Sequence, residues 1–217
     1  MTLYFGDILP YLPVMLKALW VSIYVTLISF AAGGVLGIFI YLAKASRYKA
    51  LQLISNGYIE VIRNTPLLVQ LYLIYFGLGS IGINFNPLWS VLIGMTLNNS
   101  AYTAEIFRAG ISAVPKGLRE AGTALGMPFH KTFRYVILKP GIRNVLPALT
   151  NQFIVLFLFS SIGSVIALDE LTSTLQNLNS QTLRTLEIFT VGALLYFLTS
   201  AAIAFSSKIT ERLAFRW

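Results

Sequence analysis

The chain has 217 residues, of which 56% are hydrophobic and 11% charged, and its mean hydropathy is +0.73. An ordinary soluble domain carries about 25% charged residues, so these values exclude a soluble domain and indicate a single all-α integral membrane domain over 1–217. The net charge is +8, and the basic residues lie between apolar runs. Their position indicates that they set the orientation of the protein in the membrane and do not bind nucleic acid. With no cysteine and one histidine, His130, the chain offers no disulfide, no thiolate nucleophile and no multi-histidine metal site.

The segment ahead of the first long apolar run, residues 1–17, has no basic region before its apolar residues and is therefore not predicted to be a cleaved signal peptide. Two alternatives remain open for it. One is a disordered tail, and the other is a short helix on the outer membrane surface, capped by Asp7. The apolar face of that helix would consist of Ile8, Leu9, Leu12, Met15 and Leu16.

Long uncharged runs predict five transmembrane helices, because about 20 helical residues cross a hydrocarbon core about 30 Å thick. Residues 18–43 form the first span. The run 64–104 is divided into the second and third spans by the segment 79–87, which contains glycine, asparagine and proline. Residues 144–168 and 188–207 supply the fourth and fifth. An odd number of spans places the two termini on opposite sides of the membrane.

Basic residues predict which side is which, because Lys and Arg in short loops are retained in the cytoplasm. Most of them lie in three segments, 44–49, 108–143 and 208–216, which fall on one side of the predicted topology. The other side holds Lys17 and Arg184 together with the acidic Asp7, Asp169 and Glu170. We therefore expect the N-terminus outside and the C-terminus in the cytoplasm.

The longest polar segment, about 108–143, lies between spans three and four and contains a predicted short helix. Pro115 suits the first helical turn, Gly126 the left-handed C-terminal position, and Pro128 follows the end. One face is apolar (Leu118, Ala121, Gly122 and Leu125) and the other polar (Lys116, Arg119, Glu120 and Thr123). Two hypotheses remain open: a connector packed on the protein's own helices, or a docking element for a soluble partner.

Three stretches carry a resemblance to a known family: EAGTALG (120–126) followed by MPFHKTFRYVIL, IRNTPLLVQLYLIYFGL from Ile62, and NNSAYTAEIFRAGISAVPKG from Asn98. They resemble permease subunits of bacterial ATP-binding cassette importers, in the polar amino-acid branch that carries histidine, glutamine or arginine. The first stretch is similar to the coupling loop of that family, which begins Glu-Ala-Ala, with glycine and an Ile/Val-x-Leu end after it. The resemblance extends from about residue 16 to the C-terminus. It implies that the chain is a transmembrane permease domain like those of type I ATP-binding cassette importers.

The resemblance implies that the short helix couples to a cytoplasmic ATPase subunit. Glu120, Ala121 and Gly126 match the motif residue by residue, and Lys116, Arg119 and Gly122 complete the predicted coupling site. Two departures are Gly122, where the family usually has a second alanine, and Lys139-Pro140, where proline usually follows the leucine directly. The chain has no G-x-x-x-x-G-K-[ST] loop and is predicted not to be an enzyme.

The resemblance also implies the partners and the location of the protein. We expect two ATP-binding subunits that hold ATP and magnesium, a second permease that is identical or paralogous, and an extracytoplasmic substrate-binding protein. No cofactor is expected in this chain itself. The expected location is the bacterial inner membrane, and the expected cargo is a polar amino acid or a derivative such as an opine.

Polar residues inside the spans are candidates for the substrate pathway, because such groups usually face a bundle interior or a water-filled path. The candidates are Arg63, Thr65, Asn98, Asn99, Tyr102, Glu105, Ser160 and Ser161. The alternative for each is interhelical hydrogen bonding, with a Glu105–Arg108 pair and an intrahelical Glu60–Arg63 pair. The functional hypothesis for Arg63 is a bidentate donor to a substrate carboxylate.

Span four departs from the family pattern just before its serine pair. Leu158 and Phe159 stand where relatives commonly have a lysine and an acidic or small polar residue. The role of that polar pair is therefore not transferred to this chain.

Two other functional classes compete with an importer permease. A channel or ion-driven transporter needs no ATPase, but small secondary transporters often contain inverted repeats, and no convincing repeat is found here. An assembly subunit of a membrane complex needs the cytoplasmic helix but no pathway. Retention of an ATPase subunit on purification distinguishes these classes.

Overall fold

The computed structural model describes residues 4–214, which contain helices and no strand. A 3₁₀ helix over Phe5–Tyr11 precedes eight helices, some of which contain 3₁₀ or π turns. They are α1 (Leu12–Lys44), α2 (Lys49–Arg63), α3 (Leu67–Ser80), α4 (Pro87–Ser112), α5 (Lys116–Ala124), α6 (Phe129–Ile166), α7 (Leu171–Thr182) and α8 (Thr185–Ala214).

Three helices are long and apolar enough to cross a membrane, namely α1, α6 and α8. The number rises to four if α2 and α3, which meet at a bend of 102°, count as one span. Helix α4 has 26 residues, or about 39 Å at 1.5 Å per residue, but its polar run around Asn98 lowers its hydropathy. By length and composition, three or four of the helices qualify as membrane spans, whereas the sequence predicts five.

The N-terminal 3₁₀ helix continues directly into α1, so the predicted separate surface helix is only partly correct. Ile8 and Met15 of its predicted apolar face are buried against α7 and α8, whereas Leu9 and Leu16 are exposed. Asp7 does not cap a helix but pairs with Arg184, with 2.5 Å between Oδ2 and Nη2. Residues 1–3 lie outside the described part of the chain.

Close packing of α1 on α4 forms the centre of the fold and depends on two glycines four residues apart. A Cβ atom at Gly33 would lie 2.8 Å from the carbonyl oxygen of Thr96, and one at Gly37 would lie 2.8 Å from that of Ser100. Small residues at this spacing allow two membrane helices to approach backbone to backbone. An apolar core formed by the same two helices and their neighbours includes Val25 in α1, Met95 in α4 and Leu156 in α6.

A sharp bend at residues 64–66 replaces the predicted start of the second span. The residues that lead into the predicted second span, 49–63, fold as the separate amphipathic helix α2. Pro66 cannot donate a backbone hydrogen bond, and the side chain of Gln70 compensates. Its Nε2 atom donates to the carbonyl oxygens of Ile62 at 2.8 Å and of Thr65 at 3.2 Å.

Helix α7 is fixed to the bundle by Glu170, which is fully buried at its N-terminus. Its Oε1 atom accepts the backbone N–H of Ser173 at 2.8 Å. Its Oε2 atom accepts the hydroxyl groups of Ser22 in α1 at 3.2 Å and of Tyr196 in α8 at 3.0 Å. Burial raises the pKa of this carboxyl group above its ordinary value, outweighing the opposite effect of its hydrogen-bond donors.

Candidate functional site

Helix α5 lies where the sequence predicts the short helix, and local backbone geometry defines both its ends. Pro115 is the last residue before the helix, with φ −54° and ψ 134°. Gly126 follows the end in the left-handed region with φ +69°, a conformation that glycine adopts without steric cost. The segment 108–143 therefore consists of the end of α4, the whole of α5 and the first part of α6. Lys139-Pro140 lies inside α6 rather than in a turn.

The rest of the described fold buries α5 at one residue only. Gly122 is buried, and a Cβ atom there would lie 2.5 Å from Cγ2 of Thr132 at the start of α6. Both predicted faces are otherwise exposed, including Leu125 at 79% and Leu118 at 38%. The exposed residues of the predicted coupling site are Lys116, Arg119, Glu120, Ala121 and Gly126. A short amphipathic helix is thus presented outward, with its apolar side chains exposed.

Glu105 is the centre of a cluster of charges at the end of α4 that leads to α5. The Nζ atom of Lys44 lies 2.7 Å from one carboxylate oxygen, and Arg108 Nη2 lies 2.8 Å from the other. The expected Glu105–Arg108 pair is therefore present. Arg63 Nη1 lies 3.8 Å from the same carboxylate and, within residues 4–214, pairs with Glu105 rather than with Glu60. Three cations around one carboxylate leave a net positive charge.

An open crevice of about 490 Å³ adjoins this cluster and is lined by Arg63, Tyr102, Glu105, Arg108 and Asn144, among others. The guanidinium of Arg63 lies over the Tyr102 ring, 5.1 Å from its centroid. This cation–π contact holds Arg63 while 42% of its side chain stays exposed. The fold thus brings Arg63, Tyr102 and Glu105, three of the predicted pathway residues, to one solvent-accessible crevice with a positive wall.

Asn98 and Asn99 are buried and join helices instead. The Nδ2 atom of Asn98 donates to Gln70 Oε1 at 3.3 Å, while Asn99 donates to the carbonyl oxygen of Phe30 and accepts from Gln152. Thr65 is exposed, and its hydroxyl group donates to the carbonyl oxygen of Val61. The two asparagines therefore form hydrogen bonds between helices, which is the alternative to a role in the substrate pathway.

The two serines of α6 satisfy their hydroxyl groups within their own helix. Ser160 donates to the carbonyl oxygen of Phe157 and Ser161 to that of Leu158, each at 2.7 Å. Ser160 is fully buried, whereas Leu158 is 44% exposed. This part of α6 therefore presents an apolar side chain outward.

Sequence reasoning missed Lys44, Gln70 and Gln152 as partners of the predicted residues, and it missed Asn144 in the lining of the crevice. The sequence could have indicated Gln70 and Gln152, because an amide side chain inside an apolar run needs a hydrogen-bond partner on a neighbouring helix. Lys44 carried none, because its carboxylate partner is 61 residues away in the sequence.

The fold and the site define a class: a helical, multi-pass membrane protein with an exposed amphipathic helix beside a charged crevice. Residues 33–215 match the model of a protein family described as "Binding-protein-dependent transport system inner membrane component". The match extends over most of the chain, and the chain belongs to this family.

Similar proteins cover nearly its whole length. The arginine transport system permease protein ArtQ of Bacillus subtilis (strain 168) is 33% identical over 213 residues, which are 98% of this chain and 97% of that protein. The glutamine transport system permease protein GlnP of Escherichia coli (strain K12) is 32% identical over 205 residues, 94% of each chain. A chain from the crystal structure of an amino acid ABC transporter with histidines is 40% identical, with a TM-score of 0.93 and coverage of 98% and 99%.

Proposed function

We propose that this chain is the transmembrane permease subunit of an ATP-driven importer for polar amino acids or their derivatives. The observation that carries the proposal is the near-complete structural match, at 40% identity, to a chain of an amino acid ABC transporter. Relatives named for arginine and glutamine transport support the same class of cargo.

Helix α5 is the proposed coupling element to an ATPase subunit. An isolated helix of nine residues is marginal in water, and Gly122 is the one residue of α5 that the described part of the chain buries. Burial of Leu118 and Leu125 in a cleft of a partner would supply the missing stabilisation. Lys116, Arg119 and Glu120 then remain for polar contacts around that cleft.

The proposal is tested by reversing the charge at Glu120. We expect Glu120→Lys to abolish ATP-driven uptake of radiolabelled amino acid into vesicles while membrane insertion stays normal. Glu211→Lys in α8 is the matched control, because it makes the same change of charge on a different helix, and we expect it to retain uptake. Normal uptake by Glu120→Lys would contradict the coupling role.

The crevice beside Glu105 is the proposed route of the substrate. Arg63 is half-exposed and stacked on Tyr102, a geometry suited to receiving a substrate carboxylate as a bidentate donor. Thr65 and Ser161 belong to the wider proposed pathway, whereas the buried Asn98, Asn99 and Ser160 are proposed to hold the helices that border it. We expect Arg63→Lys, which keeps the charge but loses the planar fork, to raise KM by about tenfold for uptake. An unchanged KM would exclude Arg63 as the carboxylate ligand.

The proposed assembly contains two copies of this chain, or this chain and a paralogous permease, with two ATPase subunits that bind ATP and magnesium. An extracytoplasmic binding protein delivers the substrate. In the bilayer we propose five spans, with α4 as one of them, the N-terminus outside and the C-terminus in the cytoplasm. Supporting this orientation, Asp7, Arg184 and Glu187 form one ion-pair group, whereas Lys44, Arg63 and Arg108 gather around Glu105.

An ATPase partner is what separates an importer permease from a channel, a secondary transporter or an assembly subunit. Purification of the tagged chain in mild detergent distinguishes them from the proposal, since an importer permease retains an ATPase subunit. Failure to retain one, together with uptake independent of ATP, would favour the channel or the secondary transporter.

A further inference from the structure

A second crevice, of about 470 Å³, lies between α1 and α2 and shares no lining residue with the crevice beside Glu105. Its walls come from Leu36, Phe39 and Ala43 in α1 and from Leu51, Ile54 and Tyr58 in α2. Phe39 is 64% exposed and Ile54 is 69% exposed, so the crevice opens outward. From Leu36 to Ala43 it extends over about seven residues, or about 10 Å at 1.5 Å per residue.

The polar atoms of the crevice are already satisfied by the protein. The hydroxyl group of Tyr58 lies 2.8 Å from Ser100 Oγ and 3.0 Å from the carbonyl oxygen of Leu97. The hydroxyl group of Ser55 donates to the carbonyl oxygen of Leu51 at 2.7 Å. The available surface is therefore apolar, and a length of about 10 Å fits part of an acyl chain within one leaflet of a bilayer whose core is about 30 Å thick.

One end of the crevice borders the basic turn that connects α1 to α2. Arg47 and Lys49 are exposed, lie between the wall residues Ala43 and Leu51, and pair with no carboxylate of residues 4–214 within 4 Å. Arg47 is held over the Tyr48 ring, 5.4 Å from its centroid. No Asp or Glu occurs in the sequence 44–59. The turn therefore presents two uncompensated positive charges beside an apolar slot.

We infer that this crevice binds an anionic phospholipid, with one acyl chain between α1 and α2 and the phosphate headgroup on Arg47 and Lys49. Each basic residue near a membrane surface favours anionic lipid by about fivefold. A zwitterionic lipid gains less, because its own cation repels the turn. A two-fold contact with a second copy at this surface would bring the two basic turns together, which is unfavourable.

Tryptophan quenching by brominated lipid tests the inference directly. The full-length chain, purified with the partners it retains, carries Phe39→Trp and is reconstituted in phosphatidylcholine vesicles. Its three native tryptophans, Trp20, Trp89 and Trp217, are replaced by phenylalanine in every variant, so that the introduced tryptophan is the one fluorophore of this type in the chain. Brominated phosphatidylglycerol or brominated phosphatidylcholine is then added at increasing fractions. We expect half-maximal quenching at about 25-fold less of the anionic lipid, from two cations at about fivefold each. Phe197→Trp in α8 is the matched control, because Phe197 is 66% exposed, and we expect equal quenching there by both lipids.

Charge removal then identifies the headgroup site. The double variant Arg47→Gln/Lys49→Gln is expected to abolish the preference for phosphatidylglycerol, whereas Lys208→Gln/Arg212→Gln in α8, which removes the same charge, is expected to keep it. Equal quenching of the Phe39→Trp variant by the two lipids overturns the inference. A preference that survives Arg47→Gln/Lys49→Gln overturns it as well. Absence of quenching by either lipid means that protein covers the crevice, and this outcome also refutes lipid binding.

Discussion

The contact between Gly122 and Thr132 makes a quantitative prediction about α5. Adding a Cβ atom at position 122 would place it 2.5 Å from Cγ2 and 3.0 Å from Oγ1 of Thr132, whereas carbon atoms in contact lie about 3.5–4.0 Å apart. Thr132 is buried, its χ1 is restricted by β-branching, and its hydroxyl group points to the carbonyl oxygens of Met127 and Pro128. Gly122→Ala therefore requires a shift of about 1 Å between α5 and α6.

Two opposing effects set the magnitude. Overpacking of this kind costs about 1–3 kcal/mol, while alanine is about 1 kcal/mol better than glycine inside a helix. We expect Gly122→Ala to destabilise α5 by about 0–2 kcal/mol in the natural background. A Thr132→Ala background removes the two closest atoms, Cγ2 and Oγ1, and leaves Cβ at 3.3 Å. The same change is then expected to stabilise α5 by up to about 1 kcal/mol. The coupling energy between the two positions is thus about 1–3 kcal/mol.

Amide hydrogen exchange of residues 116–124 measures the opening free energy of α5 in each variant. Gly117→Ala is the matched control, since a Cβ atom at Gly117 meets nothing within 4 Å, and it should stabilise α5 by about 1 kcal/mol in both backgrounds. If Gly122→Ala changes the opening free energy equally in both backgrounds, within about 0.5 kcal/mol, the packing explanation is wrong.

Three further predictions concern the bundle. Gly37→Ala should lower the Tm of the protein in detergent, because the added Cβ atom would lie 2.8 Å from a backbone carbonyl oxygen in α4. Gly34→Ala is the control and should leave Tm unchanged, because the space around Gly34 is open. Equal Tm values for the two variants would refute the close contact. Gln70→Leu removes the hydrogen-bond donor to two carbonyl oxygens at the bend between α2 and α3. We expect the loss to lower the free energy of unfolding by about 1–3 kcal/mol. An unchanged denaturant midpoint of unfolding would contradict this prediction. The pKa of Glu170 is higher in the native state than in the unfolded state, so the native state binds the proton more tightly. The free energy of unfolding is therefore largest at a pH below the ordinary carboxyl pKa, and it falls as the pH rises through the native pKa. A Tm profile should show this decline, and Glu170→Gln should remove it; a decline that persists in the variant would assign it to another group.

The family resemblance of this chain rests on local patterns, and local patterns also predict much of its fold. The break between α3 and α4 follows from the glycine, asparagine and proline content of 79–87, and Asn86 caps α4 by accepting the N–H of Trp89 at 2.9 Å. Pro115 and Gly126 bound α5 because each restricts or permits particular φ values whatever surrounds it. The Glu105–Arg108 pair is likewise local, since it joins residues one helical turn apart.

The sequence by itself therefore determined the membrane class, the break between α3 and α4, and the position of the amphipathic helix α5. Only the tertiary structure decided which partners the polar residues have: Arg63 at the end of α2 meets Glu105 in α4 rather than Glu60 on its own helix. It also decided how closely α5 packs on α6, because a Cβ atom at position 122 would lie 2.5 Å from Cγ2 of Thr132. Each of these contacts joins two different helices, and periodicity and propensity carry no information on how helices are placed against one another.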